Sequence, residues 1–294
     1  MKKKLLITGA SGFLGYHLLR VLESDWELYG ISFAHNFTFN GAVSVKCDIT
    51  NYIELGNCFD DIEPDALIHA AAISDAGFCQ KNPSISLAVN VEASKNLAGI
   101  CSDFQIPFCF TSTDLVFDGK KGLYNENDVK NPVSKYGEHK ALAEEEILKI
   151  YPGAAIFRLP LLLGIPDASA NNYMQRFLTA IQNSTSITLF TDEYRSACCA
   201  KSINMGIGAL LQKAEGIIHL GGPERLSRYE IGLKICTAFN LPTVGIHSGL
   251  QAEFKADAPR PADVSMDISM ARAMGYSPLT LDEELKLIAE NRYI

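Results

Sequence analysis

No cysteine in this chain stands in a Cys-x-x-Cys pair, although there are eight, at positions 47, 58, 79, 101, 109, 198, 199 and 236. Most lie in apolar runs such as Pro107-Phe108-Cys109-Phe110. Zinc ligation and a disulfide framework are not expected, and the thiols read as small buried hydrophobes in a reducing compartment. Vicinal Cys198 and Cys199 gain no special reactivity from adjacency. No His/Asp/Glu cluster has ligand spacing, so the sequence names no metal ligand and leaves metal dependence unread. Basic clusters are scarce too. The only run is Lys2-Lys3-Lys4, and the formal charge of -8 argues against nucleic-acid backbone binding. Only Leu5-Leu6-Ile7 separates those lysines from Thr8-Gly9, too short for a signal peptide core or a membrane span. The expectation is a cytoplasmic protein without nucleic-acid or membrane partners; a homodimer stays open.

What is present is an alternating pattern. The 294 residues are 47% hydrophobic and 20% charged, ordinary for a globular protein with a sizeable core. Strands are expected over 4–8, 27–32, 42–46, 66–70, 108–112 and 155–159, with helices over 13–24, 53–60, 85–103 and 133–150. Such alternation predicts an α/β fold, a doubly wound parallel sheet covered by helices on both faces. Beyond Arg158 the rhythm loosens. Helices are expected over 173–182, 202–213 and 227–239, with strands near 187–190 and 216–220. The expected organisation is a Rossmann domain over 1–160 and a smaller, mainly substrate-binding lobe over 161–294, some of whose segments return to the first domain.

Between the first strand and the first helix stands Thr8-Gly9-Ala10-Ser11-Gly12-Phe13-Leu14-Gly15. Gly9 suits a tight turn, Gly12 lets backbone approach a pyrophosphate, and Gly15 permits close helix packing; the helix amino terminus adds amide donors. A ribose-binding acid is expected to close the second strand. That strand instead runs into Ser32-Phe33-Ala34-His35-Asn36. Without the carboxylate a 2′-phosphate is not repelled, and Ser32, His35 or Asn36 can hydrogen-bond it, which slightly favours NADP(H) over NAD(H). Asp48, followed by Ile49, reads equally as an adenine contact or as part of the next helix cap, with Thr50 or Asn51 opening that helix.

Tyr136 and Lys140 stand one helical turn apart on one face. A tyrosine with a pKa near ~10 is a poor acid at neutral pH, and a neighbouring ammonium is expected to lower it. Thr113 and Asp114 follow a strand at the sheet edge where open α/β folds keep their ligands. His69 reads as a satisfied core group, and Glu138 and His139 as exposed positions.

These elements, in this order, resemble the extended branch of the short-chain dehydrogenase/reductase superfamily, and most closely the dTDP-4-dehydrorhamnose reductase group. The resemblance runs over nearly the whole chain. Its most specific part is Ser112-Thr113-Asp114-Leu115-Val116-Phe117-Asp118-Gly119, Tyr124 to Asp128, Asn131-Pro132 and Tyr136-Gly137-x-x-Lys140. The resemblance implies that Thr113 polarises a carbonyl, that Tyr136 donates the proton, and that Lys140 tunes Tyr136 and holds the nicotinamide ribose. Ala70-Ala71-Ala72 would pack along the cofactor, and Asn90 would order backbone near the start of a helix. Ser74, Thr113, Asp114, Arg195 and Arg260 are expected on a nucleotide-sugar substrate, the two arginines as a diphosphate clamp.

Leu115 stands where 4,6-dehydratases carry a Glu and where fucose-synthase-like enzymes carry a Cys, so a plain carbonyl reductase fits better than either. The rhamnose-type reductases carry an aromatic soon after the Arg closing the sixth strand; here Arg158-Leu159-Pro160-Leu161-Leu162-Leu163-Gly164 has none. The sugar is therefore not specified. Two alternatives remain: a cofactor-binding regulatory subunit resembling that of methionine adenosyltransferase, since a fold need not mean turnover, and a sugar-nucleotide epimerase.

Overall fold

A computed structural model describes residues 2–34, 37–165 and 172–291. Its central sheet is built from the short apolar runs. β1 (Lys4–Thr8), β2 (Glu27–Ser32), β3 (Ala42–Lys46), β4 (Ala66–His69), β5 (Phe108–Thr113) and β6 (Ala155–Leu159) are all parallel. All residues of β4, β5 and β6 are buried. Strands covered on both faces must be apolar throughout, which is why these segments read as runs.

The connecting helices are α1 (Phe13–Leu22), α2 (Tyr52–Ile62), α3 (Ala76–Lys81), α4 (Pro83–Leu87), α5 (Ala93–Phe104) and α6 (Lys135–Ile150). Leu18, Leu19 and Leu22 of α1 pack in one core. Leu55 and Phe59 of α2, Leu97 of α5 and Ile147 of α6 pack in another. The sheet separates these two cores, as a doubly wound fold requires.

The second half contains β7 (Leu162–Leu163), α7 (Tyr173–Gln182), β8 (Ile187–Phe190), β9 (Tyr194–Arg195), β10 (Cys198–Cys199), α8 (Ala200–Leu210), β11 (Gly216–His219), β12 (Leu226–Ser227), α9 (Arg228–Ala238), β13 (Ile246–Gly249), α10 (Ser269–Ala273) and α11 (Leu281–Ala289). β11 returns to the main sheet beside β6, giving the order β11-β6-β5-β4-β1-β2-β3. Ile203, Ile207 and Leu210 of α8 join the core that holds α1. A separate core gathers Phe177 of α7, Leu189 of β8, Ile231 and Ile235 of α9, and Leu285 of α11.

The helix expected over 85–103 is not one regular helix. It begins at Pro83 and opens into a π-turn over Ala88–Glu92. Asn90 lies inside that turn, not at a helix start: its Oδ1 accepts from Ile73 N at 2.9 Å, and its Nδ2 donates to Ile73 O at 3.0 Å. The widened turn lets a buried Asn serve the neighbouring loop's backbone. Sequence periodicity also leaves α3, β13, α10 and α11 unannounced. α3 has only six residues, fewer than two helical turns, and starts on an Asp75 cap accepting from Phe78 N at 2.8 Å.

Candidate active site

The carboxyl edge of the sheet is where the chemistry converges. β1 ends at Thr8, and the turn to α1 contains Gly9 at φ +70°. A Cβ on Gly9 would lie 2.7 Å from Ala71 N, and one on Gly15 would lie 2.2 Å from Gly9 O. Only glycine fits either place. Gly12 caps α1 without a side-chain hydrogen bond, and the first turn carries no acid. The first amides and the positive end of the helix dipole are thus left for an anion.

A cavity of about 470 Å³ runs from this turn into the interior of the site. One end is lined by Gly9, Gly12, Phe13, Leu14, Gly15, Ala70 and Ala72, the other by Thr113, Asp114, Tyr136 and Lys140. Residues 128 positions apart in the chain (Gly12 and Lys140, 140 − 12) thus share one chamber. Ser74, Arg195, Tyr173, Arg176 and Arg228 also line it, and they continue into an outer cleft of about 800 Å³ that adds Lys255 and Arg260. Ser11 and Ala71 belong to the same turns without lining the inner cavity. Ser32 closes β2 and is buried, while Asp48 and Ile49 follow β3; these too stand along the sheet edge outside the cavity. Asp48 Oδ1 accepts from Thr50 N at 2.9 Å and from Thr50 Oγ1 at 2.7 Å, while Asn51 caps α2. His35 and Asn36 lie outside the described residues.

Tyr136 and Lys140 are both buried, at 8% and 1% exposure, so the i,i+4 pair is no solvated face. α6 is set by Ser134, whose hydroxyl accepts from Gly137 N at 3.3 Å. Gly137 is required there because a Cβ would lie 2.2 Å from Leu115 O.

The electrostatics differ from expectation. Burial pushes the Tyr136 hydroxyl well above its ordinary value, Asp114 and Cys79 add to this, and only the Thr113 hydroxyl acts against it. Lys140 is not among the groups that shift it; its Nζ donates to Thr111 O at 2.6 Å and lies 3.7 Å from the centre of the Phe110 ring. Burial pulls Lys140 itself down to about 7, partly countered by Glu144.

Asp114 is pushed up to about 6 by burial, against the pull of Arg195 and Thr113. Its Oδ2 lies 3.7 Å from Arg195 Nε. Arg195 also pairs with Glu193 at 3.1 Å, so this expected phosphate ligand is buried and already engaged. Arg260 is exposed and 5.4 Å from the Phe190 ring centre.

Two readings of neighbouring histidines part ways. His69 is fully buried between Thr8 Oγ1 at 2.6 Å and Ser94 Oγ at 2.9 Å, and burial lowers it to about 3. His139, expected to be exposed, is buried against Ser86 Oγ at 2.7 Å, because α4 packs over that side of α6; Glu138 is exposed.

Tyr173, Arg176 and Arg228 were not singled out by sequence. One signal was available: Arg228 opens a capped helix, where a cation opposes the helix dipole. A cation placed against the dipole asks for another reason to be there.

Comparison with known proteins agrees with this architecture. The family model described as RmlD substrate binding domain matches residues 3–293. A probable low-salt glycan biosynthesis reductase, Agl14, of Haloferax volcanii is 30% identical over 95% of this chain and 95% of its own. The methionine adenosyltransferase 2 subunit beta of Danio rerio is 28% identical over 94% of this chain and 86% of its own. Among solved structures, a hypothetical dTDP-4-dehydrorhamnose reductase from Sulfolobus tokodaii has a TM-score of 0.82 at 30% identity, covering 96% of this chain and 98% of its own. A dTDP-4-dehydrorhamnose reductase from Bacillus anthracis, in complex with NADP, shares the fold with a TM-score of 0.88 at 23% identity over 99% and 100% of the two chains. With its glycine cradle, its Thr-Tyr-Lys set and a family match over almost its full length, this chain belongs to the RmlD substrate-binding-domain family of extended short-chain dehydrogenase/reductases.

Proposed function

We propose that the protein is an NADP(H)-favouring reductase of a carbonyl on a nucleotide-linked sugar, of the dTDP-4-dehydrorhamnose type. The observation that carries this reading is the single cavity that joins the glycine cradle to Thr113, Tyr136 and Lys140 and opens into an arginine-lined cleft.

The cradle fits a dinucleotide: the space a Cβ would fill at Gly9 and Gly15 is already closed by backbone, and the α1 amides face it without a capping side chain. Gly9 to Gly15 would hold the pyrophosphate, with Ala70 and Ala72 along the same wall. Ser32, at an edge without a carboxylate, supports the lean towards a 2′-phosphate. A bound reduced nicotinamide supplies hydride to the carbonyl carbon. Tyr136, kept protonated by burial, holds its proton until charge develops on the carbonyl oxygen, and then donates it there. Thr113 Oγ1 now donates to Asp114 Oδ1 at 3.2 Å; turned to the substrate, it polarises the same oxygen. Lys140 lines the same cavity and, in its charged form, would hold the nicotinamide ribose. Arg176 and Arg260, both exposed on the outer cleft, suit a diphosphate there, with Arg228 beside them.

The eight cysteines are free thiols, which supports a reducing cytoplasmic setting. A regulatory-subunit role is the second reading, supported by similarity to the methionine adenosyltransferase beta subunits. One assay separates the two: NADPH or NADH oxidation with dTDP-4-dehydrorhamnose, followed by absorbance, with Tyr136→Phe alongside. Turnover lost in the variant by ~10²-fold or more is expected of the reductase. Tight cofactor binding without turnover on a panel of nucleotide ketosugars would favour the regulatory reading.

A further inference from the structure

From β6 to β7 the cavity wall is aliphatic, formed by Leu159, Pro160, Leu161 and Leu162. Its aromatic lining comes from Phe13 at the cradle, from Tyr136, and from Tyr173, the first residue of α7. Tyr173 lines both the inner cavity and the outer cleft, so it stands where one passes into the other. Its place is built firmly. Asn172 caps α7 by accepting from Gln175 N at 2.8 Å and donates to Gly164 O at 2.8 Å. The Arg228 guanidinium lies 3.9 Å from the Tyr173 ring centre, and the Phe177 ring lies 6.3 Å from it.

Everything that holds this ring would hold a phenylalanine equally well. The hydroxyl is what needs explaining. It is buried and has no hydrogen-bond partner, and Asp114 Oδ2, on the same inner cavity, is likewise buried without a hydrogen bond, with only the Arg195 guanidinium near it at 3.7 Å. More than ~90% of buried polar groups are paired, and leaving one unpaired costs about 1–3 kcal/mol. Two such atoms on side chains lining one cavity point to a ligand that completes them. Their chemistries are complementary. Burial, countered by Arg228, keeps the Tyr173 hydroxyl above its usual value and so able to donate, whereas Asp114 Oδ2 accepts once ionised.

We propose that Tyr173 is a specificity-determining residue. Its hydroxyl, together with Asp114, recognises ring hydroxyls of the substrate's sugar, while the ring face opposite the Arg228 guanidinium gives the platform that the Leu159–Leu162 wall lacks. The site therefore selects a polyhydroxylated cyclic ketone carried on a nucleotide over a ketone without neighbouring hydroxyls. This rests on the nucleotide-sugar reading given above.

The test is Tyr173→Phe, which removes one oxygen and leaves the ring. Two probes are titrated by calorimetry: dTDP-rhamnose, and dTDP, which keeps the nucleotide and diphosphate but lacks the sugar. The variant is expected to lose about 10-fold in affinity for dTDP-rhamnose and nothing for dTDP. Its unliganded melting temperature should equal or exceed that of the wild type, because an unpaired buried hydroxyl has been removed. An unchanged dTDP-rhamnose affinity, or an equal loss for both probes, would overturn the role of the hydroxyl while leaving the nucleotide-sugar reading intact. Wild-type protein that binds neither probe would overturn that reading, and this inference with it.

Discussion

Arg158 grips both carboxylate oxygens of Glu144, Nε to Oε1 at 3.0 Å and Nη2 to Oε2 at 2.8 Å, with neither residue more than 1% exposed. Glu144 lies one helical turn beyond Lys140 on α6, and Arg158 lies on β6. Ser112 of the catalytic strand donates to the same carboxylate at 2.6 Å, and Lys130 approaches it at 3.4 Å. Burial pushes Glu144 up, but Arg158, Ser112 and Lys130 together hold it below the usual value. Removing one partner leaves an uncompensated buried charge. Glu144→Leu is expected to cost about 3–5 kcal/mol in denaturant unfolding. Glu144→Leu with Arg158→Leu should cost clearly less than the sum of the single changes; strict additivity would mean that the pair is not coupled.

Lys140 titrates near 7 in the fold, against an ordinary 10.5. The unfolded chain therefore binds more protons between those values, and the contribution of this group to stability rises with pH across that window. Below about 7 the buried amine is charged, and above it neutral. An anionic dinucleotide favours the charged form, so NADPH should bind more tightly at pH 6 than at pH 8.5. In Lys140→Met that pH dependence should flatten. A dissociation constant that varies with pH equally in both proteins would place the titrating group elsewhere.

Gly15 and Gly56 make a matched pair on two helices. At Gly15 a Cβ meets Gly9 O at 2.2 Å, whereas at Gly56 nothing lies within 4 Å. Gly15→Ala should destabilise by about 1–3 kcal/mol, as overpacking does, and abolish dinucleotide binding. Gly56→Ala, in the middle of α2, should stabilise by ~0.5–1 kcal/mol with binding unchanged. Thermal melts with and without NADPH would check both.

Ser32 closes β2 at the edge where a ribose-binding acid is absent. Ser32→Asp places a carboxylate that can accept from ribose hydroxyls and repels a 2′-phosphate. The ratio of kcat/KM for NADPH to that for NADH should fall by about 10-fold or more, from a loss near 1.4 kcal/mol. An unchanged ratio would show that Ser32 does not face the ribose.

The residues contributed unequally to what could be read in advance. β4, β5 and β6 are legible because burial on both faces makes each a continuous apolar run, and α6 is legible because its ends and its Tyr-Lys spacing are local. β7, β9, β10 and β12 have two residues each. They carry no period to detect, and each exists only because a distant partner pairs with it. His139 looked exposed because its cover, Ser86 on α4, comes from 53 residues away.

The amino-acid sequence by itself determined the parallel sheet, the glycine turn and the presence of Thr113, Tyr136 and Lys140, since each rests on local pattern and backbone sterics. Only the tertiary structure decided how those groups behave. Burial of Tyr136 raises its pKa instead of lowering it, and the Lys140 ammonium is taken by Thr111 O. The fold also brings Tyr173, Arg176 and Arg228 to one cleft. Desolvation and cleft membership depend on which distant segments close around a side chain, and no local spacing encodes that.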